Sequence, residues 1–527
     1  MRTEPDYKKA LLILIGISTL IRAFLAAWLE LGNDEVYYWT YALYPDWSHY
    51  DHPPMVGWII QVLSLNLKFN SEFFIRLSSV VFMGINTYII YLSGKLVSDT
   101  KTGFVAALLY NASVYAFVLT GVFILPDTPQ NLFWMLSVYL MLRFVSASAG
   151  ESRKRNLIIL LGVTIGLSML SKYTGVFLWI GFGLYVLSFD RSWLKKPVLY
   201  FSVLISAVFI LPVVIWNYQN EFVSFSYHGS RVSIFEAGLR PDFFFRELFG
   251  QIFYNNPINV ALIIMAIVAA FKGRSSNYLT TQRLILLMSL PLIMLFLVFA
   301  LFRATLPHWT GPAYNSLLIL AAAHITSGKY FRANTIIGVP KVVKAAILLL
   351  ALFLLLGSLQ IKFGFIPMQD NNPYHRLGRH DITLDMYGFR PLLPAFQEIR
   401  KIKISKGEMS ESDAMVNENW FEASKYDYYL ARPLQLRLLG LGRFDRINKY
   451  NWINDARGGF SLGENYWYLT DSRNYKHPEE VYTGLFSEII ASDTITIMRM
   501  NKPAKRVFVF MLKDLKEDPE TFFNRAF

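Results

Sequence analysis

Residues 10–29 read ALLILIGISTLIRAFLAAWL, and the polar stretch 33–54 that follows reads NDEVYYWTYALYPDWSHYDHPP. The first run has the length, about 20 residues, that an α-helix needs to cross the hydrocarbon core of a membrane. The second stretch combines carboxylates and histidines with a row of Tyr and Trp residues. Ionisable groups beside a membrane are expensive to hold in place, so this stretch indicates a functional segment. It predicts the first outside loop (30–55) of a membrane protein.

The composition supports a membrane protein over a soluble one. The 527-residue chain is 54% hydrophobic and 17% charged, with a mean hydropathy of +0.34, whereas soluble domains are nearer one quarter charged. The net charge of +13 fits basic cytoplasmic loops, and no basic stripe or recognition module indicates nucleic-acid binding. Without cysteine, disulfides, iron–sulfur clusters and thiolate nucleophiles are excluded. The start MRTEPDYKKA predicts a retained signal anchor.

Apolar runs predict about eleven membrane spans, a mainly α fold. After the first, they lie near 75–97, 103–125, 129–145, 157–171, 174–189, 198–216, 256–271, 284–302, 311–326 and 342–362. The run 56–67 is too short to span and predicts an interfacial helix. Lys and Arg concentrate in alternate connections, which predicts that those connections are cytoplasmic. The opposite segments lie outside: 30–55, 125–130, 171–175, 217–255, 303–309 and the tail after 362.

The chain divides by composition near residue 362. Residues 1–362 are predicted to form the membrane domain, in which the long loop 217–255 is a candidate lid. Residues 363–527 are more polar and contain helix-like and strand-like patterns, which predict a small extracytoplasmic α/β domain. The strand-like runs are YWYLT (466–470), TITIMRM (494–500) and RVFVFML (506–512).

The acidic pair of the first loop is the first candidate site. Asp34 or Glu35 can deprotonate an acceptor hydroxyl or amine while its neighbour orients the substrate. The alternative is an exposed acidic turn where the chain leaves the membrane. Tyr37 and Tyr38 offer stacking faces for a sugar, or belong to the aromatic belt of a membrane interface.

Two further groups of candidates lie on the same predicted side. Asp51 and His52 are stiffened by the following two prolines, and His52 is a candidate for phosphate binding or proton transfer, or starts a helix. Asp127, in LPDTP, is either a helix cap or a second catalytic carboxylate. With Asp34 it is a candidate ligand of a divalent cation, although the spacing does not establish a metal site.

The remaining candidates are basic or aromatic. Lys172, in LSKYTG, opposes the positive-inside bias, so it is a candidate phosphate ligand or a lysine that extends from a helix end to the interface. Tyr173 adjoins it. Arg231, in SYHGSR, and His308, in LPHW, are candidates for phosphate or sugar contact. No nucleotide-binding motif is present, so an activated sugar on this side most simply arrives on a lipid phosphate.

An ordered series of motifs resembles one family of membrane enzymes. The series comprises DEVYYW, HYDHPPMVGW, FIRLSSV, LPDTPQNLFWML, SKYTGVFLW, PVVIWNYQNEFVSFSYH and LPHWTGPAYNSLLILAA. It resembles the bacterial protein O-mannosyltransferase-like glycosyltransferases, which include aminoarabinose transferases that modify lipid A. The resemblance implies a GT-C fold and inverting transfer from a polyprenyl-phosphate sugar outside the cytoplasmic membrane.

The resemblance also implies roles for individual residues. Asp34 stands at the first-loop catalytic position, with Glu35 beside it, and Asp127 matches the acidic residue of the second outside loop. Lys172 matches a lysine of similar placement. His52 departs from the lysine that the aminoarabinose transferases carry near the donor phosphate.

The sequence thus predicts a glycosyltransferase of the bacterial inner membrane, with a lipid A, glycolipid or protein acceptor. Two other classes stay open. A flippase for a lipid-linked glycan predicts polar groups in the middle of broken helices, and a structural subunit predicts scattered placement of the polar residues.

Overall fold

A computed structural model describes residues 6–145, 150–232, 238–272, 279–327, 338–366, 368 and 374–525. Their contacts separate into two compact units. The first, here the membrane unit, comprises 1–28 and 45–353, and the second, here the C-terminal unit, comprises 29–44 and 354–527. The segment 29–44, which sequence analysis groups with the membrane domain, therefore packs with the C-terminal unit.

The helices up to residue 363 follow the apolar runs. They are α1 Tyr7–Trp28, α2 Asn33–Leu43, α3 Met55–Leu63, α4 Glu72–Ile75, α5 Leu77–Val97, α6 Thr100–Asn111, α7 Asp127–Val145, α8 Glu151–Ser171, α9 Phe177–Phe189, α10 Pro197–Gln219, α11 Val223–Val232, α12 Pro241–Tyr254, α13 Pro257–Phe271, α14 Leu279–Ala300, α15 Gly311–Ser327 and α16 Lys341–Phe363. Within the described residues six are long and apolar enough to cross a membrane, namely α1, α5, α8, α10, α14 and α16. The predicted count of about eleven is not confirmed, because the other apolar helices are shorter, or bent by 98° between α12 and α13.

Burial distinguishes the central helices from the peripheral ones. In α5 and α8, 56% of the most apolar window is buried, against 17% in α16. A helix that is apolar all round and mostly uncovered suits a lipid environment. The core of the membrane unit therefore forms around α5 to α8 and α15, whose buried side chains make one continuous cluster.

Two predicted loops contain helices instead. The candidate lid 217–255 includes α11 and α12, and the first loop 30–55 includes α2. Helix α2 begins with Asp34 and Glu35 in its first turn, where carboxylates interact favourably with the helix dipole. Glu35 also accepts a hydrogen bond from the backbone N–H of Gly32, at 2.7 Å. These acidic residues start a helix rather than a flexible turn.

The C-terminal unit is an α/β structure. Its helices are α17 Leu392–Ser405, α18 Trp420–Tyr426, α19 Phe444–Ile447, α20 Tyr450–Ala456, α21 Pro478–Tyr482 and α22 Pro519–Arg525. Its strands are β1 Ala414–Asn417, β2 Leu438–Gly440, β3 Tyr466–Asp471, β4 Phe486–Arg499 and β5 Lys502–Leu515, in the sheet order β2-β1-β3-β5-β4. Strand β1 pairs in parallel with β2 and β3, and β5 pairs antiparallel with β3 and β4. The predicted strands 466–470 and 506–512 lie within β3 and β5, and 494–500 overlaps β4 except for Met500, which lies in the turn. Strands β1 and β2 are too short to show a pattern in the sequence.

Helix α2 belongs to the packing of this unit. The Tyr37 ring lies 4.4 Å from the Trp420 ring, between centroids. Before the helix, the Leu31 N–H donates to the Tyr429 hydroxyl at 2.7 Å, and the Glu30 carboxylate accepts from the Phe389 N–H at 2.8 Å. Two buried hydrogen bonds and an aromatic contact thus join 29–44 to the C-terminal unit.

Candidate functional site

A buried ion pair joins two of the predicted site residues in the membrane unit. Lys172 Nζ donates to both carboxylate oxygens of Asp127, at 2.9 and 2.8 Å, and the Tyr115 hydroxyl donates to Oδ1 at 3.2 Å. Asp127 opens α7, so its charge also interacts with the N-terminal end of that helix. Lys172 follows α8 directly, in an extended conformation that directs the chain away from the helix. The pair is therefore held by α7 and α8 together.

The Trp309 indole connects this ion pair to a second cation. Lys172 Nζ lies 5.8 Å from the Trp309 ring centroid, and the Arg231 guanidinium carbon lies 5.5 Å from the same centroid. Both distances permit cation–π attraction. Arg231 is exposed near the end of α11 and donates to the Tyr227 hydroxyl at 2.9 Å. Among the described residues, Arg231 has no carboxylate partner, so its charge is available to a ligand.

Three histidines in this unit have lowered pKa values. Burial lowers the pKa of His228 and of His308 to about 4. Burial likewise lowers the pKa of His52 well below its usual value, and His228 and Lys172 lower it further. Because an anion placed near these rings would favour their protonated forms, each pKa would rise on anion binding.

The turn that carries Asp51 and His52 contacts α11. The backbone carbonyl of Asp51 lies 2.9 Å from His228 Nε2, and the His52 and His228 rings are 6.2 Å apart between centroids. The Tyr173 ring meets His228 edge-on at 5.1 Å. His228 is thus a site residue that sequence analysis did not select. Its spacing of three residues from Arg231 on one helix is the signal that would have identified it.

His308 lies beside Tyr254 instead, with 6.1 Å between ring centroids. It lies in the short 3₁₀ turn Pro307–Thr310, which also carries Trp309. The structure therefore groups Asp127, Lys172, Tyr173, Arg231 and His308 with the Asp51–His52 turn in the membrane unit.

The other four predicted residues belong to the C-terminal unit on α2. Asp34 is exposed, Glu35 and Tyr38 are buried, and Tyr37 is fully buried. The Tyr37 ring is covered by Trp420 and Tyr41, so it packs in the core of that unit and does not offer an open face to a sugar. Asp34 is the one carboxylate of the pair that solvent and a substrate can reach.

No metal centre is evident in the described ranges. There, His, Asp and Glu side chains do not form a group of three that would hold a metal ion. Both oxygens of Asp127 are engaged by Lys172.

Comparisons with known proteins show which proteins this chain is similar to. Residues 51–216 match the family described as dolichyl-phosphate-mannose-protein mannosyltransferase. A curated relative, the lipid A galacturonosyltransferase RgtD of Rhizobium johnstonii, is 24% identical over 323 residues, 60% of this chain and 65% of the relative. The alignable part thus spans slightly less than two thirds of that relative.

Solved structures match over nearly the whole chain. ArnT from Cupriavidus metallidurans in the apo state superposes with a TM-score of 0.65 at 12% identity, covering 95% of this chain and 98% of ArnT. The same protein bound to undecaprenyl phosphate superposes with a TM-score of 0.64 at 13% identity, with the same coverage of both chains. The chain has the GT-C fold of ArnT. The resemblance predicted from the sequence motifs is confirmed.

Within this GT-C chain, the matched family segment contains only part of the candidate site. Asp51, His52, Asp127 and Lys172 lie inside residues 51–216, whereas Asp34 precedes the segment and Arg231 follows it. The chemistry available is of two kinds. An exposed arginine with histidines on the same segment and the neighbouring turn suits a phosphate group, and an exposed carboxylate suits proton transfer.

Proposed function

We propose that this protein is a glycosyltransferase of the bacterial inner membrane that uses a polyprenyl-phosphate sugar as donor. Two comparisons support the donor class: the family match, and the ArnT structure that contains undecaprenyl phosphate. The acceptor we propose is lipid A, because the curated relative is a lipid A galacturonosyltransferase. In this proposal the polar candidate segments and the C-terminal unit lie on the outer side of the membrane.

The observation that carries the proposal is the pair of cations on Trp309. Arg231 presents a planar guanidinium without a carboxylate partner in the described chain, and such a group binds phosphate through two parallel hydrogen bonds. Lys172 approaches the same indole, but Asp127 already neutralises most of its charge. We therefore assign the first phosphate contact to Arg231. We assign Lys172 as a neighbour whose bond to Asp127 holds α7 and α8 together.

The reaction follows from the charges. The acceptor oxygen attacks the anomeric carbon from the side opposite the phosphate, the bond from that carbon to the phosphate oxygen breaks, and the configuration inverts. The leaving polyprenyl phosphate changes from a diester to a monoester and gains one negative charge, which Arg231 stabilises. Asp34 takes the proton that the acceptor hydroxyl releases.

The experiment has a genetic and a biochemical part. Mass spectrometry of envelope lipids from a deletion strain identifies the missing sugar, and purified protein is then assayed with the polyprenyl-phosphate derivative of that sugar. We expect Asp34→Asn to reduce transfer by about 100-fold or more, the range for loss of a general base. Asp455→Asn, an exposed carboxylate on α20 of the same unit, is the matched control and should retain full transfer.

Two results would contradict the proposal. Unchanged transfer by Asp34→Asn would remove the assigned base. Absence of any transfer by purified wild-type protein, together with a lipid-linked sugar that accumulates on the inner leaflet of the deletion strain, would indicate a flippase instead.

A further inference from the structure

The hairpin between β4 and β5 ends in an exposed apolar tip. Met498 and Met500 are 47% and 65% exposed, and the paired residues Arg499 and Lys502 close a two-residue connection. Met500 and Asn501 both have positive φ, 47° and 59°. Asn and Gly are favoured in such a turn, whereas a long side chain such as Met is strained there. The packing of the sheet therefore does not explain why a large apolar side chain occupies this strained, exposed position.

The base of this tip is bonded to the end of the last membrane helix. Arg499 Nη1 contacts the Gln360 carbonyl at 3.5 Å and the Thr383 hydroxyl at 3.1 Å, and Nη2 pairs with Asp381. Gly364, at φ +59°, directly follows α16, and a Cβ there would lie 2.3 Å from Arg499 Nε. The guanidinium therefore rests on the backbone at the point where α16 ends.

This contact sets the level of the tip relative to a membrane. Helix α16 has 23 residues, is strongly apolar and is mostly uncovered. At 1.5 Å per residue it is about 35 Å long, enough to cross the hydrocarbon core. The last turn of such a helix lies in the interfacial layer. Because Arg499, which precedes Met500, contacts Gln360 in that turn, we expect the hairpin tip at a similar depth.

More apolar side chains surround the helix end. Phe363, Phe365 and Ile366 are 42%, 49% and 48% exposed. Ile366 exchanges two hydrogen bonds with the Gln360 side chain, at 2.8 and 3.1 Å, so this segment stays level with the last turn of α16. Lys362 and Lys502, which lie at the helix end and next to the hairpin turn in the sequence, are exposed, and lysines in such positions suit lipid headgroups.

We propose that the β4–β5 tip, with Met498 and Met500, inserts into the interfacial layer of the membrane that α16 crosses. Its partner is the lipid surface itself. The apolar side chains enter the boundary between headgroups and acyl chains, and the flanking lysines remain among the headgroups. The hairpin is thus a second membrane attachment of the C-terminal unit, in addition to α16.

The absence of cysteine from the chain permits a direct test. Met500→Cys introduces a single thiol at the tip, and Ser487→Cys introduces one at the far end of the same strand, about 40 Å away at 3.3 Å per residue. Each protein is reconstituted in phosphatidylcholine–phosphatidylglycerol vesicles. The rate of reaction with a charged, water-soluble thiol reagent is measured, followed by quenching of a thiol-linked fluorophore by spin-labelled lipids.

We expect the thiol at position 500 to react about tenfold more slowly than that at 487, because interfacial burial excludes the charged reagent. Spin-labelled lipids should quench the fluorophore at 500 and leave that at 487 unaffected. Equal thiol reaction rates at the two positions, or no lipid quenching at 500, would overturn the proposal. The readout does not depend on transferase activity, so it is independent of the proposed function.

Discussion

Each unit of this protein contains an aromatic ring that two cations share, and the two arrangements differ in their partners. In the membrane unit, Trp309 has Lys172 and Arg231 at 5.8 and 5.5 Å. In the C-terminal unit, Phe389 has Lys425 and Lys505 at 4.1 and 3.5 Å. The contacts are closer in the second case, yet the first is the better candidate for a ligand site.

The difference lies in exposure and hydrogen bonding. Lys425 and Lys505 are 2% and 0% exposed, and they donate to the carbonyls of Asp385 and Leu384. Burial lowers their pKa values to about 7 and about 8. These lysines are enclosed and satisfied within the fold, so their charge is not offered to a ligand.

Carboxylates complete the enclosed cluster around Phe389. Asp385, Glu422, Asp471 and Arg473 line a cavity of about 10 Å³ with Lys425, which is room for about one water molecule. Such a space admits no sugar or phosphate. A shared aromatic ring therefore indicates a ligand site only when one of its cations is exposed and has no carboxylate partner.

Breaking the Asp127–Lys172 pair should have the largest effect on stability. We expect Lys172→Met to destabilise the protein by about 3–5 kcal/mol, because it leaves the Asp127 carboxylate buried without its counter-charge. Thermal unfolding in detergent measures the loss. The double variant Asp127→Asn/Lys172→Met, which removes both charges, should recover most of it. If Lys172→Met unfolds at the wild-type temperature, the Asp127 carboxylate does not need its counter-charge, and the Asp127–Lys172 pair is not required for stability.

Removal of the exposed cation should separate binding from stability. We expect Arg231→Gln to weaken binding of undecaprenyl phosphate by about tenfold or more, since a charge-assisted hydrogen bond contributes about 1.5–3 kcal/mol. The unfolding temperature should not change, because the side chain is exposed. Titration of the detergent-solubilised protein with undecaprenyl phosphate measures the affinity.

Arg240 provides the control for that variant. It is also an exposed arginine of the membrane unit, but it is already paired with Asp242 at 2.8 Å. Arg240→Gln should bind undecaprenyl phosphate like the wild type. If both variants weaken lipid binding equally, Arg231 acts only through its non-specific positive charge. The distinction between paired and unpaired cations would then be lost.

The sequence predicted the fold better than the site, for reasons that particular residues make clear. Hydropathy is a local property, so α16 and the strand β5 could be predicted from short segments of the sequence. The bond between Asp127 and Lys172 joins residues 45 positions apart, and each had a local explanation as a helix-end residue. Tyr37 was selected by its aromatic neighbours, but its burial depends on Trp420, nearly four hundred positions away, which no local pattern reveals.

The smallest expected effect concerns the enclosed cluster and its pH dependence. Lys425 has a pKa of about 7 in the folded protein and about 10.4 when unfolded, so the unfolded chain binds more protons between these values. Folding stability should therefore rise with pH in this window, and Lys425 contributes about 1 kcal/mol between pH 7 and pH 8. In Lys425→Met that contribution disappears, while a methionine fills most of the same volume. Unfolding of the intact protein at the two pH values, with exposed Lys401→Met of α17 as the control, measures the difference. If Lys425→Met keeps the wild-type pH dependence, Lys425 is charged in the folded state. The Phe389 cluster would then hold a charged lysine, as the Trp309 cluster does, despite its burial.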